Sequence, residues 1–205
     1  TYIQCPTCLA LWGNQGLPMM LVVHPHVHPR RTGVTTHTES IVTALAPHVE
    51  ARVWGRTVSG ALPHITLKEV LRRAKDEVVV WHAHRNNELL LGHSLKLLRP
   101  NLRLVYTRHG SYEPSGLTRA LASSADAVVT LNEGAQQTLG CPSVLVPHGL
   151  DLKRVFPPGS RAEAWAKLGL GGKYGVGVVG RVRPNKGQGD FVEAISPLLA
   201  ESPEW

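Results

Sequence analysis

Several things are missing from this 205-residue chain, and each absence removes a class of protein. Three cysteines, Cys5, Cys8 and Cys141, make an odd set with no repeating framework. A disulfide-built secreted scaffold is therefore excluded, and a reducing, cytoplasmic setting is expected. Long apolar runs are absent: Val78-Val79-Val80-Trp81 is among the most apolar stretches and is far too short to span a bilayer. The amino terminus has no basic segment leading into an apolar core and cleavage site, so no secretory signal is expected. No G-x-x-x-x-G-K-[ST] occurs, which excludes a P-loop. No D-x-D occurs either, which argues against a donor diphosphate held through a carboxylate-bound metal. There is no internal repeat and no low-complexity tract.

What is present fits a globular α/β protein. Hydrophobic residues make up 42% of the chain, enough for a core. The formal net charge is +7, with 11 histidines besides. Such a field favours phosphate-bearing ligands or an anionic membrane surface, or it simply keeps the protein soluble. The basic residues are scattered and not interleaved with aromatics, so nucleic acid is not an expected partner.

The order of patterns is strand, helix, strand, helix. Apolar runs at Met20–Val23, Val49–Val53, Val78–Trp81, Leu102–Tyr106, Ala127–Leu131 and Val144–Val146 read as short strands. Between them lie helical segments at Val34–Leu45, Leu67–Arg73, Asn86–Leu98, Ser115–Ser123 and Glu133–Leu139. This alternation predicts a parallel sheet covered on both faces. Residues 1–18 match nothing that follows and read as an extension or tail, with 19–155 as the first domain. Phe156-Pro157-Pro158-Gly159-Ser160 marks a boundary, so 156–173 is read as linker and helix. A strand at Tyr174–Val179 and a helix from Gly187 to Ile195, ended or kinked by Pro197, open a second unit over 174–205. That unit is read as the start of a domain whose remainder lies outside the sequence.

Several segments carry candidate chemistry. Gly175-Val176-Gly177-Val178-Val179-Gly180 fits G-x-G-x-x-G, but its glycines fall inside the expected strand and not at its turn, which rejects a dinucleotide site. The following loop, from Gly180 to Gly187, places Arg181 and Lys186 between a strand end and a helix start, where two cations can clamp a diphosphate. A plain basic loop is the alternative. Thr32-Gly33-Val34 opens the first helix with a glycine that lets a ligand approach the backbone; an ordinary turn glycine is the alternative. His24-Pro25-His26-Val27-His28 and His82-Ala83-His84 follow the ends of the first and third strands. No carboxylate or cysteine set completes a metal site with them, so no metal is expected and a polar cleft lining is preferred. Cys5-Pro6-Thr7-Cys8 is a lone pair without a second. His109, ending the fourth strand, is placed to bond a sugar hydroxyl or to assist proton movement, or it is a structural capping residue.

Taken together, these pieces resemble glycosyltransferase family 4, the retaining enzymes of GT-B fold. Val146-Pro147-His148-Gly149-Leu150-Asp151 with Phe156-Pro157 looks like the family's V-x-N-G-V-D…F-x-P signature, with His148 in place of Asn and Leu150 in place of Val. Val179-Gly180-Arg181…Lys186-Gly187…Glu193-Ala194 is similar to its donor-site G-R-x-x-x-x-K-G…E-A. Pro29 to Thr35 looks like the acceptor-domain glycine loop. Trp81 to Glu88 and His148-Gly149 resemble lipopolysaccharide core mannosyltransferases within the family.

The resemblance implies an α/β, GT-B-type fold: a Rossmann-like parallel-sheet domain followed by the start of a second. It implies hexose transfer, with mannose the favoured sugar, from a nucleotide sugar (GDP-mannose, then UDP-glucose) to a cell-envelope glycan or lipid-linked acceptor. No metal or other cofactor is needed. Arg181 and Lys186 would hold the donor diphosphate, with Gly33 beside it, and His109 would be catalytic. His82, His84, Arg85 and His148 would line the acceptor cleft. Peripheral attachment to the inner membrane face follows from the acceptor. The family's later paired glutamates have no counterpart in this sequence, so the chain alone is expected to be inactive. A GT-B sugar-nucleotide epimerase or hydrolase, a non-catalytic sugar-nucleotide-binding module and a histidine-rich metal-binding protein remain alternatives.

Overall fold

The computed structural model describes residues 20–110, 112–149, 159–169, 171–180 and 182–202. Two compact units divide the chain, Thr1–Leu150 and Asp151–Trp205.

The first unit is one six-stranded sheet with every strand pair parallel: β1 (Leu21–His26), β2 (Glu50–Gly55), β3 (Val79–Ala83), β4 (Leu102–Arg108), β5 (Ala127–Thr130) and β6 (Val144–Leu145). Their order across the sheet is β2-β1-β3-β4-β5-β6. Helices α1 (Gly33–Leu45), α2 (Leu67–Arg73), α3 (Asn86–Leu98), α4 (Gly116–Ser123) and α5 (Glu133–Leu139) make the crossovers. Polar caps start several of them: the side chains of Thr66, Ser115 and Asn132 each accept the backbone N–H three residues on. This is the expected α/β class, a Rossmann-like parallel sheet.

Alternation along the strands separates two layers. Leu21 and Val23 of β1, Val79, Trp81 and Ala83 of β3, and Leu102, Leu104 and Tyr106 of β4 belong to one large buried cluster. That cluster also takes Val70 of α2 and Leu89 and Leu95 of α3. Gly92 lets α3 press onto this layer, since a Cβ there would come within 2.6 Å of Trp81 Cδ1 and 2.4 Å of Leu104 Cδ1. A smaller cluster, Val42 with Ala51 and Val53, lies under α1.

The strands run further at their carboxyl ends than the apolar pattern indicates. His24-Pro25-His26 and His82-Ala83, read from sequence as following the strands, are within β1 and β3, and Thr107 and Arg108 are within β4. Polar side chains hid these last residues, because hydrophobicity tracks burial and not backbone pairing. Pro25 is tolerated in an interior strand because the β1–β3 ladder has already stopped at Val23↔Trp81.

The second unit holds α6 (Arg161–Leu168), a 3-10 turn (Pro184–Lys186) and α7 (Gln188–Glu201). One expectation fails here, and another in part. Tyr174–Val179 forms no strand among the described residues, since a strand needs a neighbour to receive its backbone bonds. Pro197 does not end α7, which runs on to Glu201; the ring removes one ladder donor and the helix continues. No helix among the described residues is long and apolar enough to cross a membrane.

Candidate functional site

The sheet order reverses direction between β1 and β3, the place where open α/β sheets bind ligands beyond their strand ends. The histidines gather there. An H-x-H spacing on a strand puts both rings on one face. Residues 24 and 26 of β1 and 82 of β3, with His84 just beyond, thus share the α1 side of the sheet, opposite the Trp81 layer.

The rings form a connected set. His24 Nδ1 is 3.1 Å from His84 Nε2, and His84 Nδ1 is 3.2 Å from His109 Nε2. His82 Nε2 meets Thr107 Oγ1 at 2.7 Å, and His26 Nε2 meets Thr35 Oγ1 of α1 at 2.8 Å. His37, from the second turn of α1, stands edge-on to His84, His109 and His148, with ring centroids 5.6, 4.7 and 4.9 Å away. Burial, reinforced by neighbouring imidazoles, favours the neutral form of His24, His37, His82, His84 and His109. His37 and His82 are each lowered to about 4 and His109 to about 3. His24 and His84 lie well below the ordinary value for the same first reason.

A buried carboxylate fastens the adjoining loops. Glu88 of α3 accepts from the backbone N–H of His84 at 2.9 Å and of Val27 at 3.4 Å, joining the ends of β3 and β1. Arg85 gives Glu88 a 3.1 Å ion pair and reaches Thr32 Oγ1 at 2.8 Å. Burial raises the Glu88 pKa. The Thr32–Gly33 turn is therefore tied to the start of α3. At Gly33 a Cβ would meet nothing within 4 Å.

Beside this network lies a cleft of about 540 Å³, in the range of ligand sites. Of the residues expected to line a site, His84, Arg85 and His109 face it, joined by Tyr106, Arg108 and Thr118. Arg108 is buried at the end of β4; its guanidinium bonds Tyr112 O and lies 5.3 Å over the Tyr112 ring. His82 stands behind the cleft against Thr107, and His148 reaches the rings of His37 and His109. Gly33 is the first residue of α1, next to the cleft-lining Val34.

Lys186 ends the exposed 3-10 turn of the second unit. Arg181 lies outside the described residues, as do Leu150, Asp151, Phe156 and Pro157 of the signature segment. Sequence reasoning missed His37, Glu88 and Arg108. Only a helical wheel aligned with the strand-end histidines could have drawn out His37, which begins no motif.

Sheet order, and a polar cleft beyond the strand ends at the switch point, define a Rossmann-like α/β domain. The HepE protein of Anabaena, solved with UDP and glucose, superposes with a TM-score of 0.67 at 16% identity, over 87% of this chain and 58% of that one. Its complex with UDP-glucose gives 0.66. No protein-family model matches the chain. By sequence the chain is similar to the lipopolysaccharide core biosynthesis mannosyltransferase LpcC of Rhizobium leguminosarum, 31% identical over 190 residues. It is likewise similar to LpsB of Rhizobium meliloti, of the same description, 33% identical over 191 residues. Each comparison takes in 90% of this chain and 54% of the relative, so the chain spans about half the length of the curated relatives it matches.

Proposed function

We propose that this chain supplies the acceptor-side domain and the start of the donor-side domain of a hexosyltransferase that builds a cell-envelope glycan. The observation that carries the reading is the similarity to two lipopolysaccharide core mannosyltransferases across nine tenths of the chain. The cleft agrees with it: Arg85, Arg108 and His109 offer hydrogen-bond donors to an oxygen-rich ligand, in a volume suited to a sugar. Binding of UDP and glucose by HepE, which shares the fold, supports a nucleotide-sugar donor. GDP-mannose is the donor we favour and UDP-glucose the next. Residues 19–155 form the acceptor side, 156–173 the connection and 174–205 the opening of the donor side.

In this reading the acceptor hydroxyl attacks the anomeric carbon from the face the diphosphate leaves. The new C–O bond forms as the bond to phosphate breaks, and the hydroxyl proton passes to the departing phosphate oxygen. Configuration is retained. Arg181 and Lys186 stabilise charge on the leaving diphosphate, so no metal is required for that step. Gly33 gives the donor phosphates access to the amino end of α1, and His109 orients the transferred sugar. An acceptor in the envelope places the enzyme at the cytoplasmic membrane surface as a peripheral protein.

The test uses radiolabelled GDP-mannose and UDP-glucose with truncated lipopolysaccharide core and the parent protein. Label should appear in the glycan from GDP-mannose, and Arg181→Glu with Lys186→Glu should abolish donor binding in calorimetry. Donor hydrolysis without transfer, or an isomerised sugar, would mark an epimerase or hydrolase and overturn the reading. Unchanged affinity in the double variant would refute the clamp.

A further inference from the structure

The histidine cluster contains more nitrogen than its hydrogen bonds use. His37 Nε2 is buried and has no hydrogen-bond partner among the described residues, an arrangement that costs free energy unless something else binds that lone pair or proton. It belongs to a group with His84 and His109 in which one ring nitrogen from each lies within 4.8 Å of the others. The three come from α1, the end of β3 and the end of β4, so the sheet and its first helix hold them together independently of any ligand.

The spacing matches a coordination shell. Bonds of about 2.0–2.1 Å from a tetrahedral ion to imidazole nitrogen put neighbouring donors about 3.3 Å apart. His84 Nδ1 and His109 Nε2, at 3.2 Å, already stand at that edge. His84 turns its other nitrogen to His24 Nδ1 at 3.1 Å, the outer support that fixes the tautomer of a metal-bound ring. His148, with its ring 4.9 Å from that of His37 and 5.9 Å from that of His109, is near enough to supply a fourth donor. The donors are all imidazole, which suits zinc and its late first-row neighbours and does not suit magnesium or calcium. A second group, His24, His82 and His84, shares His84 and is the more enclosed. Sharing limits the cluster to one ion, and the cleft at His84 and His109 gives the His37 group its entry.

We propose that His37, His84 and His109 form a binding site for a zinc(II)-type transition-metal ion at the switch point of the sheet. The sequence expectation of no metal rested on the lack of a completing ligand beside the H-x-H pairs. The fold supplies it from α1, the helix that follows the first H-x-H run, by laying it over the ends of β3 and β4. The site lies wholly within the first unit, uses no residue of the proposed diphosphate clamp, and shares His84 and His109 with the cleft proposed for the sugar.

The chain, stripped with chelator and dialysed, is loaded with zinc(II), passed through a desalting column and analysed for metal; cobalt(II) serves as the spectroscopic probe. The expected result is about one zinc per chain and a cobalt spectrum of four-coordinate nitrogen or oxygen ligation with no thiolate charge-transfer band. His37→Ala and His109→Ala should each weaken zinc at least about tenfold, judged against the 10–100-fold losses seen even for outer-shell changes. His64→Ala, at an exposed histidine outside the cluster, should leave it unchanged. Absence of retained zinc overturns the proposal. So does retention that survives both cluster variants, or that is lost instead with Cys5→Ser and Cys8→Ser. The wild-type cobalt spectrum decides the ligand type even if a variant fails to fold.

Discussion

Acidification between pH 7.5 and 5.5 should destabilise this protein at a pH where carboxylates are still ionised. His82 and His109, held to about 4 and about 3, have folded values below that of an unfolded imidazole, about 6.5. The unfolded chain therefore binds protons that the folded one refuses, so stability is fully present above about pH 6.5 and is lost as pH falls toward the folded values. At pH 5.5 an unfolded histidine is roughly nine-tenths protonated while these two remain almost wholly neutral. Each then costs about 1.3 kcal/mol relative to pH 7.5, a figure insensitive to how far below about 4.5 the folded value lies. The pair costs about 3 kcal/mol, and His24 and His84 act in the same direction. That is a large part of the 5–15 kcal/mol typical of a domain. Urea denaturation at pH 7.5, 6.5 and 5.5, with chelator present, measures it. Between pH 6.5 and 5.5 the slope should be at least about 2 kcal/mol per pH unit, the value for about one and a half protons. His109→Gln should reduce it by about half that value. A change of less than about 1 kcal/mol across the range would refute the claim that these rings are held neutral in the folded protein.

Glu88→Ala strands the Arg85 guanidinium and two backbone donors, and should cost about 3 kcal/mol. Calorimetry should then show Tm lower by roughly 10 °C, and a shift under about 2 °C would deny Glu88 its part in joining the strand ends. Gly33→Ala should leave Tm unchanged or slightly higher, because the added methyl meets open space at a helix start. Donor affinity of the parent protein should fall at least about tenfold in the same variant, the equivalent of about 1.4 kcal/mol. Equal affinity would remove Gly33 from the site.

Much of the first unit was legible because apolar strands and capped helices announce themselves. Leu67–Arg73, Asn86–Leu98 and Glu133–Leu139 begin and end where the periodicity places them. The carboxyl ends of β1, β3 and β4 were not legible, since His26, His82 and Arg108 look like loop residues until neighbouring strands cover them. Of the site, His84 and His109 could be picked out by position after an apolar run, and Arg85 through the family resemblance. His37 and Glu88 could not, because their significance comes from side chains 47 and more positions away in one case, and from a strand end 61 positions away in the other. Tyr174–Val179 failed for a related reason: its composition is right for a strand, but backbone pairing is a property of two segments.

The two-faced character of β1 and β3 also governs how the chain can misfold. Sliding either strand by a single position would thrust imidazoles among Leu104 and Leu89 and turn Trp81 toward the threonines of α1. Many parallel sheets are greasy on both sides and tolerate such slippage poorly only through shape. Here a mispaired intermediate is penalised chemically as well, so the same rings that ready the cleft for a ligand also proofread the assembly of the sheet beneath it.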